Sequence, residues 1–371
     1  MANNQKPWSE WSADSLMQRK DNLADNWAYD YSVVFKGLEE VWLKTGDKKY
    51  FDYIEKTMDM FIQEDGSIPL YRPDKNNIDF IALGKIILLV YNNCVPEKKE
   101  RYKKAAGHLR RQLSVHPRTS EGCFWHKAIY PYQIWLDGIY MGSPFYAQYI
   151  RDVEGGKDFA DVVKQFEVSF KYLYTPETGL MHHAWDESRE VFWCDKETGL
   201  SENYWSRSIG WYAMACADVL DYLPENCPGR AKILDIYEKV VDGMLKYKDP
   251  ELHVWYQVTD MPERKGNYIE SSASCMMVHA MAKGIVRGYL SREKYLDVVK
   301  KCYQGVLDEF VTVTNQGLVN LNKTVSVSGL GPQDNKVRDG SFAYYISEPI
   351  ITNDMKGHGA FISASAYMEQ L

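Results

Sequence analysis

The apolar positions of this chain follow a helical period over most of its length. In residues 28–44, Val34, Leu38, Val41 and Trp42 recur at a spacing of three to four residues, which places them on one helical face. The stretch stops at Thr45-Gly46-Asp47, a turn sequence. In 48–63, Phe51, Ile54, Met58, Phe61 and Ile62 form a second stripe that ends before Asp65-Gly66. The same period predicts helices over 77–93, 97–114, 136–152, 157–173, 203–222, 228–247, 270–288, 293–310 and 357–370, with a weaker one at 8–22. That makes about twelve helices.

Between pairs of helices the period changes. A turn followed by alternating aromatic and polar residues recurs from Asp65, Glu121, Thr178, Glu251 and Gln316, and each interval has room for two helices. Helices in pairs, each pair closed by a short extended segment, predict an all-α fold: an α/α toroid whose inner helices close a barrel and whose pair-ending loops gather at one mouth. An open solenoid is the alternative, but its repeats are more uniform in length than these. No linker-like or low-complexity tract interrupts the chain, so residues 1–371 are expected to form a single domain. The longest irregular stretch, 316–356, is expected to be a long loop over the mouth.

Composition narrows the partners. Lys and Arg number 44 against 51 Asp and Glu, a net charge of −7, and no basic stripe is present to neutralise phosphates, so nucleic acid is excluded. No window is apolar enough to span a membrane, and the first residues lack the blocks of a leader peptide, so a cytoplasmic or periplasmic protein is expected. The 7 cysteines are scattered and contain no C-x-x-C pair, which predicts reduced, buried thiols. Aromatic residues make up 14% of the chain, with 11 Trp, and rings of this kind suit the apolar faces and polar rims of sugars.

Nucleotide-binding, metalloprotease and serine-hydrolase motifs are missing. His182-His183 is the one adjacent histidine pair, and adjacent residues point away from each other, so only one of them can face a given site. No metal and no cofactor are expected. What remains is a set of carboxylates embedded in aromatics. Asp137, in Trp135-Leu136-Asp137-Gly138-Ile139-Tyr140-Met141, reads either as a helix-capping Asp or as a reactive carboxyl among large rings. Asp79 has the same two readings. His126 and His183 lie on the repeated extended segments. Arg207, between Trp205 and Trp211 at a helix start, is either a carboxylate receptor or a cation–π core contact.

Taken together, Gln133 through Met141, Gly179-Leu180 through Ser188, and Trp205 through Trp211 resemble the unsaturated glycuronyl hydrolases, glycoside hydrolase family 105 more than the related family 88. The likeness runs from Trp27-Ala28-Tyr29 to the final helix. It implies an (α/α)6 barrel, with Asp137 as general acid and base and Asp79 as a second carboxylate setting its state. It also implies a site for an unsaturated uronate lined by Tyr29, His126, Trp135, Met141, His183, Trp205, Arg207 and Trp211. The substrate class so implied is an unsaturated oligosaccharide left by a polysaccharide lyase, most simply unsaturated galacturonyl-rhamnose from pectin. The chain is expected to act as a monomer or weak homodimer. Ser206, Ser208 and Ile209 depart from the family's common form, which bears on the subsites. The chemistry implied needs a protonated acid, so burial among Trp residues and the neighbouring Asp79 are expected to raise the proton affinity of Asp137. A conventional toroid glycosidase, a sugar epimerase and a non-catalytic sugar-binding toroid are the competing readings.

Overall fold

The structure, a computed structural model, describes residues 6–371. Thirteen α-helices account for most of it: α1 Trp8–Arg19, α2 Tyr29–Thr45, α3 Lys48–Phe61, α4 Gly84–Asn93, α5 Pro96–Val115, α6 Leu136–Asp152, α7 Ala160–Leu173, α8 Ser206–Val219, α9 Arg230–Leu245, α10 Ser271–Val286, α11 Arg292–Phe310, α12 Phe342–Ser347 and α13 Met355–Met368. All twelve expected helices are present. Two details differ. The helix expected over 77–93 is split, because Asn77 caps a 3-10 turn, Ile78–Ile81, before α4 begins at Gly84. The short α12 lies inside the stretch expected to be irregular, where Ser341 caps it by accepting from the Tyr344 N–H.

Contacts between helices close a ring. α2 packs on α4, α4 on α6, α6 on α8, α8 on α10, α10 on α13, and α13 returns to α2. The remaining long helices lie outside, α11 against α10, α5 against α4 and α1 against α13. The sequences of the two layers differ accordingly. Outer α3 buries one stripe, Tyr50, Phe51, Ile54, Met58 and Phe61, and its Asp47 cap accepts from the Lys49 N–H at 3.1 Å. Inner α8 is buried along its entire length, as a helix packed on all sides must be. The ring is sealed where the second and last helices meet at glycine. A Cβ at Gly359 would lie 2.5 Å from the Val33 carbonyl carbon and the Val34 nitrogen, so only Gly permits this approach.

The strands are short and form four two-stranded antiparallel pairs: β1 Gln133–Trp135 with β4 Ala184–Asp186, β2 Tyr174–Thr175 with β3 Leu180–Met181, β5 Val311–Val313 with β6 Val319–Leu321, and β7 Thr324–Val325 with β8 Ile350–Ile351. Three of the pairs have a strand on one of two repeated extended segments, those from Thr178 and Gln316, whereas β7–β8 lies on none of them; isolated bridges mark two more segments, at Arg118–Phe124 and Tyr256–Ile269. The copy beginning at Asp65 is an exception. There the chain is held by turns, Gln63 donating to the Ser67 carbonyl and Tyr71 to that of Ile68, because no second segment lies alongside to pair with it.

Candidate active site

Three inner helices deliver chemistry within their first two residues: Tyr29 on α2, Asp137 on α6 and Arg207 on α8. Helix N-termini carry unpaired N–H groups and the positive end of the helix dipole, so their convergence favours an anion at this mouth. A cavity of about 120 Å³ opens there, lined by Tyr29, Asp79, His126, Trp135, Asp137, Met141, Trp205 and Arg207. Eight of the ten residues expected at the site thus share one small space.

The other two support it from behind. His183 is fully buried and places Nε2 3.3 Å from Asp137 Oδ2, in contact but not aligned as a hydrogen bond. Its Nδ1 lies 2.8 Å from the Tyr345 hydroxyl. A nitrogen facing a carboxylate keeps its proton, so Nε2 carries the hydrogen and Nδ1 accepts from Tyr345. His182 points the other way, to the Ser201 carbonyl at 2.6 Å, as adjacent residues must. Trp211 is buried beneath the floor, stacked on Tyr140 at 4.8 Å and edge-on to Tyr29. It does not line the cavity.

The walls are aromatic and rigid. Trp135 is stacked between His126, at 4.4 Å, and Tyr130, at 4.7 Å, and its indole N–H donates to Gln133 Oε1. Trp205 donates to Gln257 Oε1 at 3.0 Å, while Gln257 Nε2 donates to Ser328 Oγ and the Tyr345 carbonyl. One glutamine thereby fixes an aromatic wall and the loop that covers it. Arg207 is wholly buried. Its Nη1 donates to the Val325 carbonyl at 2.6 Å and to Ser272 Oγ at 3.3 Å, its guanidinium carbon lies 4.8 Å from the Trp205 ring, and its Nε–H has no protein acceptor. The cation–π contact is present, and a donor is left over.

The electrostatics correct one expectation. Burial pushes Asp137 toward protonation, but His183, His126 and Arg207 together outweigh it and hold the carboxyl below its ordinary value. Asp79 does not act as an adjacent like charge. It pairs with Lys127 Nζ at 2.7 Å, and His126 Nε2 lies 3.7 Å from it. Burial pushes His126 down to about 4, so that ring is neutral at pH 7.

The sequence reading missed Lys127, Tyr130, Tyr345, Ser328, Gly329 and Arg338. Lys127 directly follows His126 and pairs with Asp79, and Tyr130 lies three residues further on, so their only signal in the sequence is nearness to His126. Tyr345 and the 327–338 loop carry none, because they reach the mouth only through the path of a long irregular segment. Ser206, Ser208 and Ile209 are buried and none lines the cavity, so the departures from the family pattern face the barrel rather than the ligand space. Among the described residues no group of three or more His, Cys, Asp or Glu is placed to hold a metal ion, and no helix is long and apolar enough to cross a membrane.

Comparison with known proteins agrees with this geometry. The sequence profile of Glycosyl Hydrolase Family 88 matches residues 8–371. A solved structure of a Clostridium acetobutylicum glycoside hydrolase from family 105 is 46% identical, covers 99% of this chain and 100% of its own, and superposes with a TM-score of 0.94. The unsaturated rhamnogalacturonyl hydrolase YesR of Bacillus subtilis is 26% identical over 301 residues, 80% of this chain and 79% of its own. Protein Atu3128 of Agrobacterium fabrum is 31% identical over 229 residues, 61% of this chain and 97% of its own. With an α/α toroid, a sugar-sized aromatic cavity and a family profile matched from the first helix to the last residue, this chain belongs to Glycosyl Hydrolase Family 88 and is a glycoside hydrolase.

Proposed function

We propose that the enzyme releases a 4,5-unsaturated uronic acid from the non-reducing end of oligosaccharides made by polysaccharide lyases, with the whole chain acting as one catalytic unit. The observation that carries this reading is the pairing, in one small cavity, of a buried carboxylate, Asp137, with a buried arginine, Arg207, whose Nε–H has no protein partner. A uronate carboxylate satisfies that donor, and its ring fits between the Trp135 and Trp205 walls. Asp79, neutralised by Lys127, is not disposed as the second free carboxylate that ordinary glycosidases require.

The chemistry follows from the substrate. Its C4=C5 double bond is conjugated to the ring oxygen, so it is a vinyl ether. Asp137 delivers a proton to C4, and positive charge develops at C5 and the ring oxygen. Water adds at C5 and returns a proton to the Asp137 carboxylate. The hemiketal opens and expels the neighbouring sugar, with one water consumed overall. In the free enzyme Asp137 is ionised, held so by the His183 ring and the charge of Arg207. Bound substrate reverses the balance, because its carboxylate engages Arg207, adds negative charge beside Asp137 and displaces water. The His183–Tyr345 pair orients the Asp137 oxygen throughout.

The test is turnover in heavy water. Protonation at carbon leaves one deuterium on C4 of the released keto-uronate, and loss of double-bond absorbance matches release of the neighbouring sugar one for one. Product unlabelled at C4, or rapid cleavage of the saturated disaccharide, would refute it.

A further inference from the structure

The catalytic cavity takes one of its cations from the longest irregular stretch of the chain. Arg338 lines it, together with Val327, Ser328 and Gly329. The segment that carries these residues is held at both ends. Gln257 donates to Ser328 Oγ at 3.1 Å, the Tyr344 hydroxyl donates to the Gly329 carbonyl at 2.6 Å, and Leu330 is buried against Tyr130 and Trp135. At the other end Asn203 Nδ2 donates to the Gly340 carbonyl at 2.8 Å. Between these anchors the chain closes on itself, the Gly331 N–H donating to the Arg338 carbonyl and the Asn335 N–H to that of Pro332, both at 2.8 Å. A Cβ at Gly331 would lie 1.9 Å from the Asn335 carbonyl oxygen, so the turn requires glycine there. The tip of the loop is free, with Val337 79% exposed, whereas Arg338 stands at the anchored base.

The donors of Arg338 are unused. Among the described residues its guanidinium makes no hydrogen bond, and the one carboxylate oxygen within 4.0 Å, Glu348 Oε1, lies 3.7 Å from Nε. The other two cations of the cavity are differently placed. Lys127 is committed to Asp79 at 2.7 Å. Arg207 has given Nη1 to the Val325 carbonyl and Ser272, and keeps Nε–H without a protein acceptor. A cavity with room for one sugar ring brings its ligand within reach of both guanidiniums. A carboxylate can accept about four hydrogen bonds through its two oxygens, so it can satisfy donors on two sides at once.

Building on the function proposed above, we infer that Arg338 is a second binding residue for the uronate carboxylate, gripping it from the loop side while Arg207 holds it from the floor, and that this grip makes the enzyme selective for the free acid. The inference accounts for the anchoring of the loop: an arginine ordered before the ligand arrives loses less freedom on binding it. Arg338 acts on binding, and proton transfer stays with Asp137.

The experiment measures kcat and KM for an unsaturated uronyl-rhamnose disaccharide and for its carboxamide, which has nearly the same shape and no charge. Arg338→Gln is expected to lower kcat/KM for the acid by about tenfold, chiefly through KM, and for the amide by less than about twofold. The loss on the acid shrinks as salt is raised, because the Arg338 side chain is 35% exposed. Arg338→Lys keeps the charge without the planar fork and falls between the parent and Arg338→Gln. Combined with Arg207→Lys, Arg338→Gln loses less than the product of the two single losses, because donors that share one carboxylate are coupled. Equal losses on acid and amide, no loss on either, or single losses that multiply in the double variant overturn the inference and leave the proposed function standing. Product unlabelled at C4 in heavy water overturns the function itself, and the inference with it.

Discussion

Mild acid should destabilise this protein through three buried histidines. His116, His126 and His358 are each pushed down to about 4 by burial, against an ordinary value of 6.5. The unfolded chain therefore takes up a proton on each below pH 6.5 that the folded chain refuses until about pH 4. The stability these groups confer is complete above pH 6.5 and is lost as pH falls from 6.5 to 4. At pH 5 the linkage relation gives about 2 kcal/mol lost per histidine, and roughly 6 for the three, a large part of the 5–15 typical of a folded domain. His358 isolates the effect. Its Nε2 lies 2.7 Å from Ser12 Oγ, between the first and last helices and away from the cavity, and the nearby charge of Arg19 also disfavours its protonation. Urea unfolding of the parent and of His358→Gln, at pH 7 and pH 5, is the assay. The variant should lose about 2 kcal/mol less than the parent between the two pH values, whatever its stability at pH 7. Asp30 and Asp260, whose proton affinity is raised, oppose the trend in both proteins and cancel in the difference. Asp137 and Asp161, whose affinity is lowered, titrate below this window. Equal losses in parent and variant would refute the reasoning.

Asp137→Asn should keep the fold and lower kcat by roughly a thousandfold or more, since the amide has no proton to give; matched melting curves and single-turnover kinetics check both halves. Arg207→Lys should raise KM roughly tenfold for the uronate substrate but far less for its methyl ester, because a point charge cannot replace the planar donor set. Tyr345→Phe should remove the hydrogen bond that fixes His183 and shift the pH dependence of kcat while leaving KM nearly unchanged, read from full pH profiles. Gly359→Ala should cost about 2 kcal/mol or more, seen as a lower Tm, because the added methyl meets α2 backbone that cannot yield without opening the ring.

The twelve long helices were legible in the sequence because each must bury a stripe, and a stripe on a helix has to recur at the helical period. The same logic located the strand-like segments, and the residues around Asp137, His183 and Arg207 were recognisable as a group before their positions were known. Other features could not be read in this way. Extended residues at 65–71 form no strand, since pairing depends on a neighbour that the local sequence does not specify. Asp79 looked like a second acid until the structure placed Lys127 against it, and Asp137 looked like a raised pKa until His183, His126 and Arg207 were found around it. Tyr345, 208 positions beyond Asp137 in sequence, reaches it through a single imidazole. Periodicity is a property of one helix and survives in one dimension. The proton affinity of a carboxyl is a sum over charges and dipoles within a few ångströms, and which residues those are was decided only when the six-membered ring of helices closed.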